Sequence, residues 1–292
     1  MLMLLAMLGA TPDAHAFVDP KCEGETQKFD DEGQTNFMLN YFALTTSYSA
    51  LHAPVPHKPG TGSVGLELSL IPPLNCSQRL VLNSTKTEDT NTAPVLPRPR
   101  FTFAFPKIGE VVPYGGFAVL PPVTLFGIRT LMFSGEFGIG YKSNGSMSYG
   151  ARLHGNMLKT IGEIATPFVE GDEAVDDLYI GSALGLDLML GYEDFEKITP
   201  YLAVGLTDAS TYFFIGDDAY VGNNTQPFFG PTASLGAEYK TGSWAASGEL
   251  YTAPGLTYTP PGLVEDNEYA GWQTIEGGLL YTVRAKIAYV FK

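Results

Sequence analysis

Large apolar residues recur at every second position in many segments of this chain. In GSVGLELSLI, residues 62–71, they share one parity, while small and polar residues occupy the other. The same alternation runs through RFTFAF, MFSGEFGIGY, DLYIGSALGLDLMLGY and TASLGAEYK. A period of two indicates β-strands, because successive side chains point to opposite faces of a strand. The chain is therefore predicted to be all-β.

The two faces of these predicted strands differ in composition. One carries Leu, Phe, Ile, Val and Tyr; the other carries Gly, Ser and Ala with an occasional charge. A soluble β-sandwich, the alternative, would bury the large residues and expose Lys, Glu and Thr. A small, weakly charged second face suits the interior of a transmembrane barrel whose apolar face meets lipid.

The strand boundaries predict a closed antiparallel transmembrane β-barrel of about 12 strands. These lie near 35–49, 62–72, 78–84, 100–106, 111–120, 126–142, 146–158, 177–192, 199–207, 228–240, 243–253 and 271–291. Alternate connections are short (PLNC, KIG, SNG, EDFEKI and TG), while most of the others are long and polar. Short periplasmic turns and long outer loops are typical of such barrels, and an even strand number puts both termini on the periplasmic side.

The N-terminus MLMLLAMLGATPDAHA combines an apolar run with an Ala-His-Ala site, although no Lys or Arg precedes the run. This predicts a signal peptide, residues 1–16, cleaved after Ala16. Residues 17–33 are predicted to be a periplasmic lead-in, too short and polar to plug a barrel, and 34–292 the barrel itself. Cys22 and Cys76 then share the periplasmic side, either bridged, as an oxidising compartment favours, or as two free thiols.

The net charge of the chain argues against one class of function, nucleic-acid binding. The chain has 31 acidic against 17 basic residues, a formal net charge of −14. Nucleic acid is therefore not expected as a partner, because phosphate contacts need clustered Lys and Arg. Many acids fall in predicted outer loops, such as 170–177, where they would form an acidic mouth or ordinary solvated loops.

The last residues, RAKIAYVFK, have apolar residues at every second position, and the last two of these are aromatic. In this respect the chain resembles Gram-negative outer-membrane β-barrel proteins, over 34–292. Their closing strand is read by the barrel assembly machinery through a polar residue, a Gly two positions later and two alternating aromatics. Arg284, Tyr289 and Phe291 match that pattern, whereas Lys286 replaces the Gly and Lys292 follows the usual terminal Phe. The resemblance implies outer-membrane localisation, with membrane lipid, lipopolysaccharide and the assembly machinery as partners.

Alternation assigns a set of charged residues to the lumen. The candidate lining residues are Glu67, Arg129, Glu136, Arg152, His154, Asp187, Glu238, Lys240, Glu249, Arg284 and Lys286. Ser143-Asn144-Gly145 is predicted to be a three-residue hairpin loop with Gly in the left-handed region, pairing Lys142 with Ser146. That register sets Glu136 opposite Arg152. Tyr and Trp residues near strand ends are predicted to form interfacial girdles: Tyr41, Tyr141, Tyr192, Tyr201, Tyr239, Trp244, Trp272, Tyr281 and Tyr289.

The leading functional hypothesis is a passive, porin-like channel for small solutes, without strong ion selectivity because both charge signs line the lumen. The alternative is a structural or surface-binding barrel that acts through its acidic loops. A lipid hydrolase is disfavoured, because Ser143-Asn144 lacks the His two residues earlier that would activate the serine. No catalytic residue, cofactor or metal is predicted; His52 and His57 form only a weak metal-binding pattern.

Overall fold

The computed structural model describes residues 19–25, 31–81, 86–87, 94–125, 127–162, 176–215, 219–223, 228–254, 257–258, 275–276 and 279–292. The signal peptide prediction, residues 1–16, and most of the predicted acidic loops lie outside these ranges.

Ten antiparallel strands form a closed barrel wall. They are β1 (Thr61–Leu70), β2 (Val95–Ala104), β3 (Val111–Leu125), β4 (Ile128–Lys142), β5 (Met147–Gly162), β6 (Asp177–Tyr192), β7 (Ile198–Ile215), β8 (Phe228–Thr241), β9 (Trp244–Pro254) and β10 (Leu279–Phe291). Each strand pairs with the next, and β10 pairs with β1 over Gly62 to Leu70. The fold class is confirmed, with ten wall strands in place of twelve.

Short elements accompany the wall. A 3-10 turn spans Pro20–Cys22, and helix α1 spans Asp31–Thr45. Helix α2 (Cys76–Arg79) precedes a small ladder of Leu80–Val81 with Lys86–Thr87. Ala219–Asn223 pairs with β7, and Thr257–Tyr258 pairs with Ile275–Glu276. In the described part of the chain, no helix has the length and apolar character needed to cross a membrane.

The outer surface of the wall is apolar. Along β6 and β10 exposed and buried residues alternate, and most of the exposed ones are large hydrophobics, with Ser182 and Ala285 as exceptions. Leu186 and Phe137 are each 57% exposed and Tyr289 is 45% exposed. In a soluble sandwich these side chains would be sealed in a core. That alternative is wrong for this chain.

The two ends of the barrel differ. One end, the short-turn end, carries the connections 105–110, 143–146, 193–197 and 242–243 together with the C-terminus. The opposite, long-loop end carries 71–94, 163–176, 216–227 and 255–278, with 126–127 as its short exception. Exposed aromatic side chains near the short-turn end form the aromatic girdle: Tyr141, Tyr149, Tyr192, Tyr239, Trp244 and Tyr289. Tyr41 and Tyr201, also predicted for the girdle, are buried inside, and Trp272 lies outside the described residues.

The predicted first strand, 35–49, is wrong. Residues 31–45 form α1 inside the barrel, and 46–57 continue as a buried, non-helical segment. We call residues 31–57 the plug. Because α1 is enclosed by the wall, it has no polar face and thus no helical period in its sequence. The barrel wall begins at Thr61 rather than at residue 34, and the plug includes residues 31–33 of the predicted lead-in 17–33.

Because 35–49 is not a wall strand, β1 runs in the direction opposite to the prediction. The predicted strand 78–84 is wrong over its described part, since residues 78–79 lie in α2 and Leu80–Val81 lie in a short ladder outside the wall, while 82–84 lie outside the described residues. The prediction took PLNC as a periplasmic turn, whereas β1 ends at the long-loop end and α2 follows there. Cys22 and Cys76 are bridged, with their Cα atoms 5.2 Å apart, at that end. The chain therefore enters at the long-loop end, passes down the lumen as the plug, and turns into β1 at the short-turn end.

The predicted hairpin register between β4 and β5 is wrong by two residues. Lys142 pairs with Ser148, and Glu136 stands opposite His154 rather than Arg152. Gly145 is not among the residues with positive φ in the described chain. Instead, the Ser143 N–H and hydroxyl both donate to the Met147 carbonyl, at 3.0 and 2.9 Å, which makes a wider turn.

Candidate functional site

The lumen is divided into an apolar half and a charged half. At the long-loop end, Leu39 of α1 packs among wall side chains that form one buried cluster: Leu96, Leu120, Met132, Leu158 and Tyr179. Ala43 and Leu44 pack on a second cluster that includes Phe228. The Tyr179 hydroxyl donates to the Leu39 carbonyl at 3.1 Å. The helix is thus held mainly by apolar contact.

Wall arginines surround the C-terminal end of α1. The last carbonyls of a helix lack intrahelical partners and carry partial negative charge, so cations stabilise them. Three guanidinium groups donate to successive carbonyls here: Arg98 to Thr46 at 2.6 Å, Arg284 to Ser47 at 2.8 Å, and Arg152 to Tyr48. Arg284 also donates to the Thr45 carbonyl at 3.2 Å. Side chains from three separate strands therefore bind the backbone just after α1, and Arg284 also reaches the last carbonyls of the helix at Leu44 and Thr45.

Beyond the C-terminal end of α1, carboxylates of the wall accept hydrogen bonds from backbone amides of the plug. The Leu51 N–H donates to Glu249 at 3.0 Å, and the Ala53 N–H donates to Glu238 at 3.2 Å. Near the short-turn end, Lys240 donates to the Pro56 carbonyl at 2.8 Å. Buried backbone groups need partners. Since residues 46–57 belong to no sheet, wall side chains supply them.

The same charges pair with one another. Arg100 contacts Glu67 at 3.2 Å and Glu136 at 3.0 Å. Arg152 contacts Glu136 and Asp187, each at 2.6 Å. These side chains are almost completely buried, apart from slight exposure of Asp187. Buried charges must be paired to offset their desolvation, and here each acid has at least one guanidinium.

Tyr48 of the plug lies at the centre of this network. The guanidinium of Arg100 lies 4.1 Å from the centroid of its ring, and those of Arg98 and Arg152 lie within 5.5 Å. A cation over an aromatic face is attracted by the ring quadrupole. Thus the plug contributes an aromatic face to the wall's charges as well as backbone carbonyls.

Glycines of the wall make room for Pro54 of the plug. A Cβ at Gly140 would collide with the Pro54 carbonyl, and one at Gly191 would lie 2.8 Å from the Pro54 side chain. At Gly150 the corresponding contact would be 3.2 Å. These glycines lie on β4, β5 and β6 beside the aromatic girdle. The plug therefore closes the short-turn mouth against a glycine-lined niche.

Most of the predicted lumen residues point inward. Buried inside are Glu67, Glu136, Arg152, His154, Asp187, Glu238, Glu249, Arg284 and Lys286, with Lys240 partly exposed at the mouth. Arg129 is a correction: it is exposed on the outer face, sharing the parity of Leu131 and Phe133. Although the predicted register that set Glu136 opposite Arg152 is wrong, the two residues still form an ion pair, as diagonal neighbours on adjacent strands.

Sequence reasoning missed Arg98 and Arg100. Arg98 lay outside the predicted strand 100–106, and Arg100 was the first residue of that strand but was not assigned to the lumen. Pro97 and Pro99 lie on the outer face of β2 and pair with β1 at Leu68 and Leu66. The available signal was the alternation of Leu96, Arg98, Arg100 and Thr102 between the prolines.

The three described histidines contact other side chains inside the barrel. His52 lies 3.5 Å from Glu136, and His154 lies 3.3 Å from Asp187. His57 hydrogen-bonds to Ser63 at 2.8 Å. Among the described residues, no three His, Cys, Asp or Glu side chains converge as a metal site requires.

The C-terminal residues that match the assembly pattern have different surroundings. Arg284 is buried against the plug. Tyr289 is part of the aromatic girdle and contacts Trp244 with ring centroids 5.5 Å apart. Phe291 lies 5.9 Å from Phe101, centroid to centroid.

No family model matches the chain, and no curated protein matches it. Among solved structures it is similar to the Pseudomonas putida toluene transporter TodX, at 12% identity and TM-score 0.36, covering 90% of this chain and 78% of that one. It is similar to the translocator domain of the autotransporter NalP from Neisseria meningitidis, at 11% identity and TM-score 0.39, covering 80% and 90%. It is also similar to OmpT, an outer membrane protein of Vibrio cholerae, at 13% identity and TM-score 0.29, covering 69% and 57%. We draw no functional conclusion from likenesses this distant; the geometry above defines the class, a closed β-barrel with an internal plug.

We expect Arg152→Met to destabilise the barrel in detergent micelles by about 3–5 kcal/mol, because it leaves Glu136 and Asp187 short of a buried partner. The matched control is Arg129→Met on the neighbouring strand, where the arginine is exposed and makes no ion pair within the described residues. That change should alter stability by less than about 0.5 kcal/mol. Equal costs in urea unfolding would contradict the buried network.

Proposed function

We propose that this chain is an integral outer-membrane barrel that acts as a gated passive channel for small polar solutes. The observation that carries the proposal is a closed barrel with an apolar exterior and a charged interior, occupied by the chain's own plug. Large hydrophobics are exposed all around the wall, and an aqueous surface rarely carries a contiguous apolar patch of such size. Hydrocarbon is the solvent that suits this exterior.

The aromatic girdle supports a specific placement. Tyr and Trp concentrate where a barrel crosses a membrane interface. On β4, Tyr141 to Leu131 spans ten residues, which at ~3.3 Å per residue and a tilt of ~40° is roughly 25 Å of height. That matches the apolar band of outer-membrane barrels, about 25 Å. The short-turn end then faces the periplasm and the long-loop end the exterior.

The passage is closed in the plugged arrangement. In the charged half, Arg98, Arg284 and Lys240 donate hydrogen bonds to plug carbonyls, and Glu238 and Glu249 accept hydrogen bonds from plug amides. Water can replace such bonds, whereas it cannot replace the apolar packing around α1. Movement of residues 46–57 would therefore open a water-filled route between charges of both signs. α1, bridged through Cys22 at the long-loop end, would stay tethered.

The second candidate is a barrel that does not transport and serves a structural or surface-binding role. The many hydrogen bonds between the plug backbone and wall side chains, together with the buried ion pairs around them, favour this candidate, because movement of the plug would break those hydrogen bonds. The two candidates differ in whether the plug ever leaves the charged half of the lumen. Single-channel recording distinguishes them.

We expect brief openings of the wild-type barrel in planar bilayers and a several-fold higher open probability for Gly140→Ala, since the added methyl group displaces Pro54. Gly135→Ala on the same strand is the matched control, because its Cβ would meet only a backbone oxygen at 3.8 Å. If neither wild type nor Gly140→Ala conducts while both remain folded, the channel proposal fails and the non-transporting barrel replaces it.

We expect Leu186→Arg to destabilise the barrel in lipid vesicles by roughly 2–4 kcal/mol, the cost of an arginine near the bilayer midplane. Leu186 lies six positions from girdle residue Tyr192, about 15 Å above it by the same rise and tilt. The control is Ile108→Arg, in the short turn 105–110, where the side chain is 73% exposed. Urea titration that finds both changes neutral would rule out the membrane placement.

A further inference from the structure

Two cations lie on the lipid-facing wall near the long-loop end. Arg129 is on β4 and Lys159 on β5, and both side chains are exposed. The register pairs Arg129 with Ile161 and Leu131 with Lys159, so the cations are diagonal neighbours on one face. Neither makes an ion pair or side-chain hydrogen bond within the described part of the chain. In a protein with 31 acidic and 17 basic residues, two adjacent unneutralised cations on an apolar wall call for an anion.

A groove lies beside them. It has a volume of about 190 Å³ and is lined by Pro122, Arg129, Leu131, Lys159 and Ile161. Its origin is a β-bulge in β3, where pairing with β4 shifts between Leu120 and Val123. Prolines at 121 and 122 have no N–H to donate, so the ladder is interrupted there and the wall is indented. The groove is apolar apart from its two cations.

The height of the cations matches a phosphate layer. Lys159 is ten residues along β5 from girdle residue Tyr149, which at ~3.3 Å rise and ~40° tilt is roughly 25 Å. Arg129 is twelve residues along β4 from Tyr141, roughly 30 Å by the same rise and tilt. Two strands thus place a cation one apolar band away from the aromatic girdle. That is the headgroup level of the opposite leaflet.

We propose that Arg129 and Lys159 bind the phosphate of an outer-leaflet lipid, a phosphorylated glycolipid of the lipid A type, whose acyl chain lies in the groove along Pro122, Leu131 and Ile161. The inference rests on the membrane placement proposed above. Guanidinium and ammonium groups make charge-assisted hydrogen bonds to phosphate oxygens, and basic pockets on membrane proteins bind anionic headgroups in this way. The site is on the outer wall, so it does not depend on whether the plug moves.

The test uses the full-length mature barrel refolded into phosphatidylcholine vesicles, with or without diphosphoryl lipid A, or with lipid A stripped of its phosphates. We expect diphosphoryl lipid A alone to raise the midpoint of thermal unfolding. Arg129→Gln with Lys159→Gln should lower the apparent affinity roughly 25-fold, and either change alone roughly fivefold, since each cation near an anionic surface contributes a factor of that order. Lys107→Gln with Lys142→Gln, which removes the same charge at the short-turn end, should keep the wild-type gain.

Retention of the gain by the Arg129 and Lys159 double variant would overturn the site. So would an equal gain from phosphate-free lipid A, or from inorganic phosphate added to the barrel in detergent. If the wild type inserts into vesicles but gains nothing from diphosphoryl lipid A, the lipid site fails while the membrane placement stands. If the wild type is removed from vesicles by an alkaline wash, the membrane placement fails and the lipid site with it.

Discussion

The structure depends on one constraint: a stretch of backbone that lies inside a closed barrel has no strand to pair with. The ten-stranded ladder uses its own N–H and C=O groups, so residues 46–57 must find partners among side chains. Arginines from β2, β5 and β10 supply donors to the first three carbonyls after α1, those of Thr46, Ser47 and Tyr48. Glu249 and Glu238 supply acceptors for the amides that follow. Charged groups make the stronger hydrogen bonds, which is a physical reason for a lumen rich in Arg and Glu.

That arrangement gives several luminal charges, Arg98, Arg152, Glu238 and Lys240, a partner on the wall and a partner on the plug at once. Arg152 pairs with Glu136 and Asp187 and also donates to Tyr48 of the plug. Removal of the plug would leave a pore in which the wall ion pairs of Arg98, Arg100, Arg152 and Lys240 remain. The charged half of the lumen is therefore compatible with both a closed and a hydrated state. In the apolar half, packing of α1 on the wall favours keeping the helix buried, and the Cys22–Cys76 bridge ties the chain to the segment after β1 at that end.

The outer wall follows different physics. In the proposed membrane placement it meets hydrocarbon, which offers no hydrogen bonds, and this suits a closed ladder without a backbone edge and a mostly apolar exterior. The aromatic girdle lies towards one end of the apolar band, and the exposed charges Arg129, Lys159 and Asp208 lie towards the other. The first set was anticipated in part from Tyr and Trp near strand ends. The second was not, because Arg129 had been assigned to the wrong face.

Alternation in the sequence was sufficient to predict strands, their inner and outer faces, the closed barrel and most of the luminal charges, since a period of two is a local property of each strand. It failed for Arg98, which lay outside the predicted strand 100–106, and for Arg100, the first residue of that strand, which was not assigned to the lumen. It failed again for residues 35–49, because a helix enclosed on every side shows no polar face. The register of the hairpin at 143–146 also escaped, because a turn of different width keeps the same parity. The path of the plug, the partners of its backbone and the convergence of Gly140, Gly150 and Gly191 on Pro54 were decided only by tertiary structure, since they join residues that the sequence keeps far apart.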